Sequence, residues 1–402
     1  MPAQFTITGR PGDGRRSALN VAGGILWHLP GAFPIAHILG PRYSLRCVLF
    51  HNISDSDSPF TKGLGGTVSR QTFEATLRFL TTYFTPVSLQ DVLASFNGGV
   101  LPRRPVLVTF DDAYASVTEV AAPLCAQFGV PAVFFVNAAC LDNREIALDN
   151  LVCYVANTVG LNAINAAICE LKGEIGHQVV SLAEVFSRFL PGIPLRERKA
   201  FHERLLRSLH IGASELAKEA HLYVTSKQLR ELAAFGVEIG DHTYSHVNCR
   251  VLMGDEFDEE IDRNRVKLEA LSGRRVRSFS IPYGSSADLS GDLLRHLQRR
   301  GYEAVFLAEG RTNSSTTDNC RLNRISMRGE TDSARFSEIE VLPRLRAIRN
   351  SLLGGAKAGN YKSALQLNEN YLWQGISNQN ASSGTASSSE PRTTNTYTDH
   401  TC

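Results

Sequence analysis

The sequence predicts an α/β protein built on a parallel sheet or barrel, and two observations carry that prediction. Short apolar, β-branched runs recur between Leu45 and Ala308, with amphipathic helical stretches between them. Polar residues suited to catalysis collect where those runs end, which in an α/β barrel is the face that carries the active site. The chain has 402 residues, 43% apolar and 20% charged, the proportions of an ordinary globular protein. Its 42 Lys and Arg nearly balance 40 Asp and Glu, giving a formal net charge of +2. Whole-chain attraction to nucleic acid or anionic lipid is therefore not expected. The local cluster of Arg274, Arg275 and Arg277 reads as a solvated helix end or loop.

Residues 1–16, rich in Gly, Pro and Arg, read as a mobile segment. Residues 17–40 are apolar, but His28, Pro30, Pro34 and His37 interrupt them, which argues against a spanning helix. The expectation is an amphipathic helix that packs on the domain or rests on a membrane surface. Arg15-Arg16 ahead of it resembles a twin-arginine export signal. No clear small-residue cleavage site follows, so a cytoplasmic, membrane-associated location is preferred to export. The eight cysteines form no C-x-x-C pair, so no thiolate zinc site is expected. Cys47 and Cys125 sit in apolar runs, as buried free thiols do, which suits a reducing compartment.

The elements follow in order. Leu45–Ile53 reads as a buried strand, Val68–Tyr83 as a helix with Ser69 as N-cap, and Leu89–Phe96 as a shorter helix. Val106–Phe110, behind Pro105, reads as a central strand. A helix over Ala115–Phe128 ends at Gly129, and Ala132–Asn137 is the next strand. The rhythm then breaks. Residues 141–222 carry helical patterns (Leu148–Val159, Ser181–Leu190, Arg196–Leu209) and no convincing strand, so they read as a helical insertion or cap. Alternation resumes with a helix at Ser226–Phe235, a strand at Val237–Gly240, a helix at Asp255–Leu271 and a strand at Ser278–Ile281. It ends with a helix at Ser290–Arg300 and a strand at Ala304–Ala308. The predicted organisation is an N-terminal segment (1–42), one domain (43–345), and a C-terminal helix remnant with a polar tail (346–402). From Ser377 that tail has too little apolar content to offset ordering entropy, and is expected to be disordered.

Three motifs carry the chemistry. In Thr109-Phe110-Asp111-Asp112, two adjacent carboxylates end an apolar strand, a costly arrangement unless used; one of them capping the next helix is the plainer reading. In Asp241-His242-Thr243-Tyr244-Ser245-His246, a helical turn would put His242 and His246 on one face, a common metal-binding pair. Taken alone, two surface histidines explain that spacing as well. Phe279-Ser280-Ile281-Pro282-Tyr283-Gly284 places a rigid Pro-Tyr-Gly turn after a strand.

Over roughly residues 43–325 these features together resemble the NodB-homology polysaccharide deacetylases, carbohydrate esterase family 4. Members carry T-F-D-D, H-[ST]-x-x-H and R-x-P-Y motifs in this order, matched here by Thr109–Asp112, His242–His246 and, partially, Ser280–Tyr283. The resemblance implies a distorted (β/α) barrel of about seven strands. It implies that Asp112, His242 and His246 bind one divalent metal ion, usually zinc, and that Asp111 is the general base. A metal held by such a set polarises a carbonyl and acidifies water, and the backbone N–H of Tyr283 suits the oxyanion. The implied reaction is removal of N-acetyl groups from N-acetylhexosamine units of a polysaccharide or glycan precursor. An O-acetyl esterase, or a silent glycan-binding protein on the same scaffold, is the alternative.

Two departures stand out. Ser280 replaces the Arg that steadies the catalytic Asp in relatives, and Arg324 is the candidate source of that charge. The family's late His, the general acid for the leaving amine, has no counterpart, because only His400 follows His296. His51, at the end of the first strand, is the candidate replacement, since first and last strands are neighbours in a closed barrel.

Overall fold

The computed structural model describes residues 44–172 and 178–348. The segment 17–40, the residues before it and the tail beyond Ser377 lie outside these. In chain order the strands are β1 (Arg46–Phe50), β2 (Asn52–Ile53), β3 (Thr67–Val68), β4 (Thr85–Pro86), β5 (Pro105–Phe110), β6 (Ala132–Val136), β7 (Glu238–Asp241), β8 (Ser278–Ser280), β9 (Ala304–Leu307) and β10 (Leu322–Ser326). The main sheet runs β1-β10-β9-β8-β7-β6-β5-β4, and β1 also pairs with β5. That second pairing closes seven strands into a barrel and leaves β4 outside, against β5. All the barrel pairings are parallel. Strand β10 is absent from the sequence reading, because LNRIS carries a charged residue at its centre and resembles a loop.

Helices fill the connections. They are α1 (Arg70–Tyr83), α2 (Leu89–Phe96), α3 (Ala122–Gln127), α4 (Leu148–Thr158), α5 (Leu161–Lys172), α6 (Leu195–Leu209), α7 (Ala213–Ala220), α8 (Ser226–Ala234), α9 (Arg263–Ser272), α10 (Gly291–Arg299) and α11 (Asp332–Phe336). Ser69 caps α1 by accepting from the Thr72 N–H, as its sequence position predicts. Among the described residues no helix is long and apolar enough to cross a membrane.

Both faces of the strands are buried, as a barrel wrapped in helices requires. Val48, Phe50, Val106, Val108, Phe134 and Phe279 pack outward in the main core with the surrounding helices. Cys47, Leu107, Val133, Phe135, Phe306 and Leu322 form a separate interior cluster with Val92 and Leu93 of α2. Helices α4–α7 enclose a third apolar core around Leu151, Val155, Ile164, Phe201 and Leu205. Cys47 and Cys125 are buried free thiols, as their apolar sequence surroundings suggest. The site described below lies within the unit that ends at Pro343.

The lumen is tightly filled. A Cβ added at Gly240 in β7 would lie 2.3 Å from Cδ1 of Phe135 and 3.0 Å from Oγ of Ser278. Gly240 therefore leaves room for the Phe135 ring that fills the barrel, and the neighbouring strands leave it nowhere to go. Gly240→Ala is expected to destabilise the protein by about 1–3 kcal/mol in urea denaturation, the usual penalty of overpacking. A variant as stable as the parent would contradict this packing.

Candidate metal and catalytic site

The motif residues sit at the C-terminal ends of the barrel strands. Asp111 follows β5, and its N–H donates to the Phe50 carbonyl at 3.1 Å, continuing the pairing with β1. The chain then turns sharply: Asp112 and Ala113 adopt φ of 77° and 55°. His242 follows β7. The predicted helical turn between the two histidines is not formed; residues 242–248 make a loop. Thr243 and His246 take φ of 61° and 56°, and Tyr283 takes 65°. Left-handed backbone at non-glycine residues costs about 1–3 kcal/mol each and needs support from the surroundings.

That support is visible. Asn137 donates to the His242 and Thr243 carbonyls. Asp241 accepts from the Thr243 N–H at 2.9 Å, and Glu260 accepts from the Ser245 N–H and hydroxyl at 2.9 and 2.8 Å. Arg198 of α6 donates to the His246 carbonyl at 3.2 Å. The loop brings the two imidazole centroids to 5.0 Å, the proximity that the sequence reading assigned to a helix.

Asp112, His242 and His246 each offer one ligand atom, all within 4.8 Å of one another. His242 Nδ1 lies 2.7 Å from the Ser280 carbonyl oxygen. A carbonyl only accepts, so Nδ1 is the donor there and Nε2 is turned toward Asp112. His246 Nδ1 lies 2.9 Å from a carboxylate oxygen of Asp149, which orients its Nε2 likewise. Both Nε2 atoms are 3.4 Å from Asp112 Oδ1, and that oxygen is buried with no hydrogen-bond partner. Electron-rich atoms converging on a buried, unpaired carboxylate oxygen call for positive charge. Without a metal, a proton is the substitute: against the cost of burial, Asp149 and Asp112 raise His246 to about 9. The donor set therefore fits a divalent cation of the kind bound by imidazole and carboxylate.

Asp111 is held differently. Arg324 donates from Nη1 to Oδ1 at 2.7 Å and from Nη2 to Oδ2 at 2.8 Å, a two-pronged pair. Nη2 also donates to the Ser280 hydroxyl at 2.6 Å, and that hydroxyl lies 3.3 Å from Asp111 Oδ2. Arg324 is 1% exposed. It comes from β10, two strands away from the Ser280 position on β8, and meets Asp111 across the lumen. Burial works against the Asp111 charge, but Arg324, together with His242 and His51, outweighs it and keeps the carboxyl below its ordinary pKa. Asp111 is thus an anion with fixed orientation.

His51, half-buried between β1 and β2, lines the same cavity of about 310 Å³ as Asp111, Asp112, His242, His246 and Tyr283. The Tyr283 hydroxyl donates to Asp149 at 3.0 Å, and its backbone N–H makes no hydrogen bond to another described residue. Asp149 escaped the sequence reading. The available signal was an acidic residue, followed by Asn150, opening the otherwise apolar helix α4. A second acid–histidine group, Asp258, Asp262 and His296, already holds a cation, since Arg300 pairs with Asp258 at 3.0 Å and with Asp262.

Removing Arg324 strands a buried carboxylate, which typically destabilises by about 3–5 kcal/mol. Arg324→Ala is expected to lose stability in that range in chemical denaturation at pH 7, with a smaller loss at pH 4, where Asp111 can protonate once unpaired. A pH-independent loss would mean that the pair is not what the charge at Asp111 depends on.

A family model described as polysaccharide deacetylase matches residues 203–305, spanning His242, His246 and the Ser280–Tyr283 turn. A Streptococcus pyogenes deacetylase, PplD, solved with acetate, superposes with a TM-score of 0.50 at 14% identity, covering 75% of this chain and 99% of its own. A polysaccharide deacetylase from Bacillus cereus gives 0.47 at 13%, with coverages of 74% and 69%. IcaB from Ammonifex degensii gives 0.46 at 17%, with coverages of 74% and 97%. No curated protein matches the sequence. The family model covers residues 203–305 of the 402, and the likeness to the Streptococcus pyogenes deacetylase is one of barrel fold.

Proposed function

We propose that the protein is a metal-dependent hydrolase that removes N-acetyl groups from N-acetylhexosamine units of a polysaccharide or glycan precursor. The observation that carries this reading is the pairing of two unlike carboxylates. Asp112 is unpaired and faces two imidazole nitrogens, and Asp111 beside it is ionised and clamped. In this reading Asp112, His242 and His246 hold one divalent ion, with zinc the first candidate from the imidazole–carboxylate set. Such an ion supplies Lewis acidity toward the acetyl carbonyl and lowers the pKa of water.

The remaining steps belong to the chain's own side chains. Asp111 takes the proton from the attacking water; Arg324 keeps it ionised and aimed, at the cost of some basicity. The Tyr283 backbone N–H donates to the developing oxyanion. Collapse of the tetrahedral centre breaks the C–N bond, and the amine must gain a proton to leave. His51 is the proposed donor. Burial lowers its pKa below the ordinary imidazole value, with Asp112 and Asp111 opposing, so it rests neutral at pH 7. The proton surrendered by water to Asp111 then reaches the amine through His51, and the cycle closes without net proton change in the protein.

Acetate release from an acetylated chitooligosaccharide tests the reading. Activity is expected with the metal-loaded protein, lost on chelation and restored by zinc. Asp111→Asn is expected to lower turnover by at least about 10²-fold, at the low end of what general-base catalysis supplies, with the metal retained. His51→Ala is expected to lower turnover strongly with unchanged metal content, and near-normal turnover would remove His51 from the mechanism. Glycan binding without acetate release, or turnover of O-acetyl xylan alone, would replace the proposal.

A further inference from the structure

The residue that orients His246 comes from outside the barrel. Asp149 is the second residue of α4, 6% exposed, and lies in the helical segment that interrupts the strand–helix alternation. One carboxylate oxygen faces His246 Nδ1 at 2.9 Å, and the other accepts from the Tyr283 hydroxyl at 3.0 Å. The His246 and Tyr283 rings lie 5.2 Å apart, bridged by that single group. His242 needs no such help, because the barrel's own Ser280 carbonyl orients it.

The start of α4 is well anchored. The neighbouring Asn150 side chain donates to the Phe60 carbonyl at 3.0 Å and to the Tyr114 hydroxyl at 2.9 Å, and accepts from the Tyr223 hydroxyl at 2.7 Å. Tyr223 in turn accepts from the Ala147 N–H at 2.9 Å. Tyr114 follows Asp112 by two residues and pairs with Tyr223 in an isolated bridge. The polar network thus fixes α4 to the turn that carries the carboxylates, while the apolar core of α4–α7 fixes it to the insertion.

We propose that Asp149 is a positioning residue for the metal site: it commits His246 Nδ1 as a donor, aims Nε2 at the cation, and through the Tyr283 hydroxyl holds the turn that presents the proposed oxyanion donor. The helical insertion is then a working part of the metal site, not only a wall of its mouth. This rests on the metal-dependent reading above. Carboxylates behind ligating histidines fix the tautomer and ring orientation, and their loss weakens metal binding by about 10- to 100-fold. Asn at this position keeps one acceptor for Nδ1–H; Ala keeps none.

The test is zinc affinity, measured on the full chain by competition with a chromophoric chelator. The parent is expected to bind one zinc. Asp149→Ala is expected to weaken binding about 10- to 100-fold, Asp149→Asn less, and Tyr283→Phe scarcely at all while lowering turnover. Equal affinity in Asp149→Ala and the parent would overturn the proposal; a parent that binds no zinc would overturn the metal reading itself. Should Asp149→Ala fail to fold, 15N-histidine NMR of the zinc-loaded parent decides the matter. His246 bound through Nε2 with Nδ1 protonated is expected, and binding through Nδ1 would overturn the proposal.

Discussion

A buried guanidinium in the barrel lumen anchors the site. Arg324 reaches from β10 to Asp111, Ser280 and the Leu307 carbonyl at once. It lies 5.4 and 6.0 Å from the Phe135 and Phe306 ring centroids, so its flat faces meet aromatic surface while its edges meet oxygen. Such a charge is tolerable inside a protein only when nearly every donor is used. Asp111 needs the arrangement equally, since it is buried at the end of β5 and must stay ionised. Closure of the barrel satisfies both, because β1 lies between β10 and β5 and brings their ends within a side chain's reach. Ser280 completes the set by being small, leaving the space an arginine at that position would fill.

The neighbouring Asp112 follows the opposite rule. Its buried oxygen is left unpaired, the loop after β7 is held in left-handed conformations, and the Nδ1 atoms of both rings are engaged elsewhere. The first two features are unfavourable alone, and the third turns both Nε2 atoms toward the unpaired oxygen. Together they fit the proposed cation site, with the backbone strain absorbed by Asn137, Glu260, Arg198 and Asp149. Two of those supports, Arg198 and Asp149, come from the helical segment, which links the cap to the chemistry beneath it.

Much of the fold was legible because its signals are local. The buried strands from Leu45 to Ala308 are continuous apolar runs, and the helices between them show 3.6-residue periodicity with recognisable caps. The Asp111-Asp112 and His242–His246 pairs were legible as short spacings at strand ends. What escaped acts across long stretches of chain. Asp149 meets His246 from 97 positions away, and nothing in the local sequence marks that encounter. β10 was hidden because its defining residue, Arg324, is one that strands ordinarily exclude. Only Asp111, 213 positions earlier, makes it acceptable there. The four-residue histidine spacing suggested a helical turn, whereas a strained loop achieves the same proximity. Spacing records that two side chains meet, and the backbone has more than one way to arrange it.

The central proposal is that Asp112, His242 and His246 form the cation site of a carbohydrate deacetylase. Anomalous diffraction from crystals grown with zinc tests it most directly. The account predicts a single strong peak about 2 Å from Asp112, His242 Nε2 and His246 Nε2, with Asp111 still paired to Arg324. No peak there, or one confined to Asp258, Asp262 and His296, would contradict it.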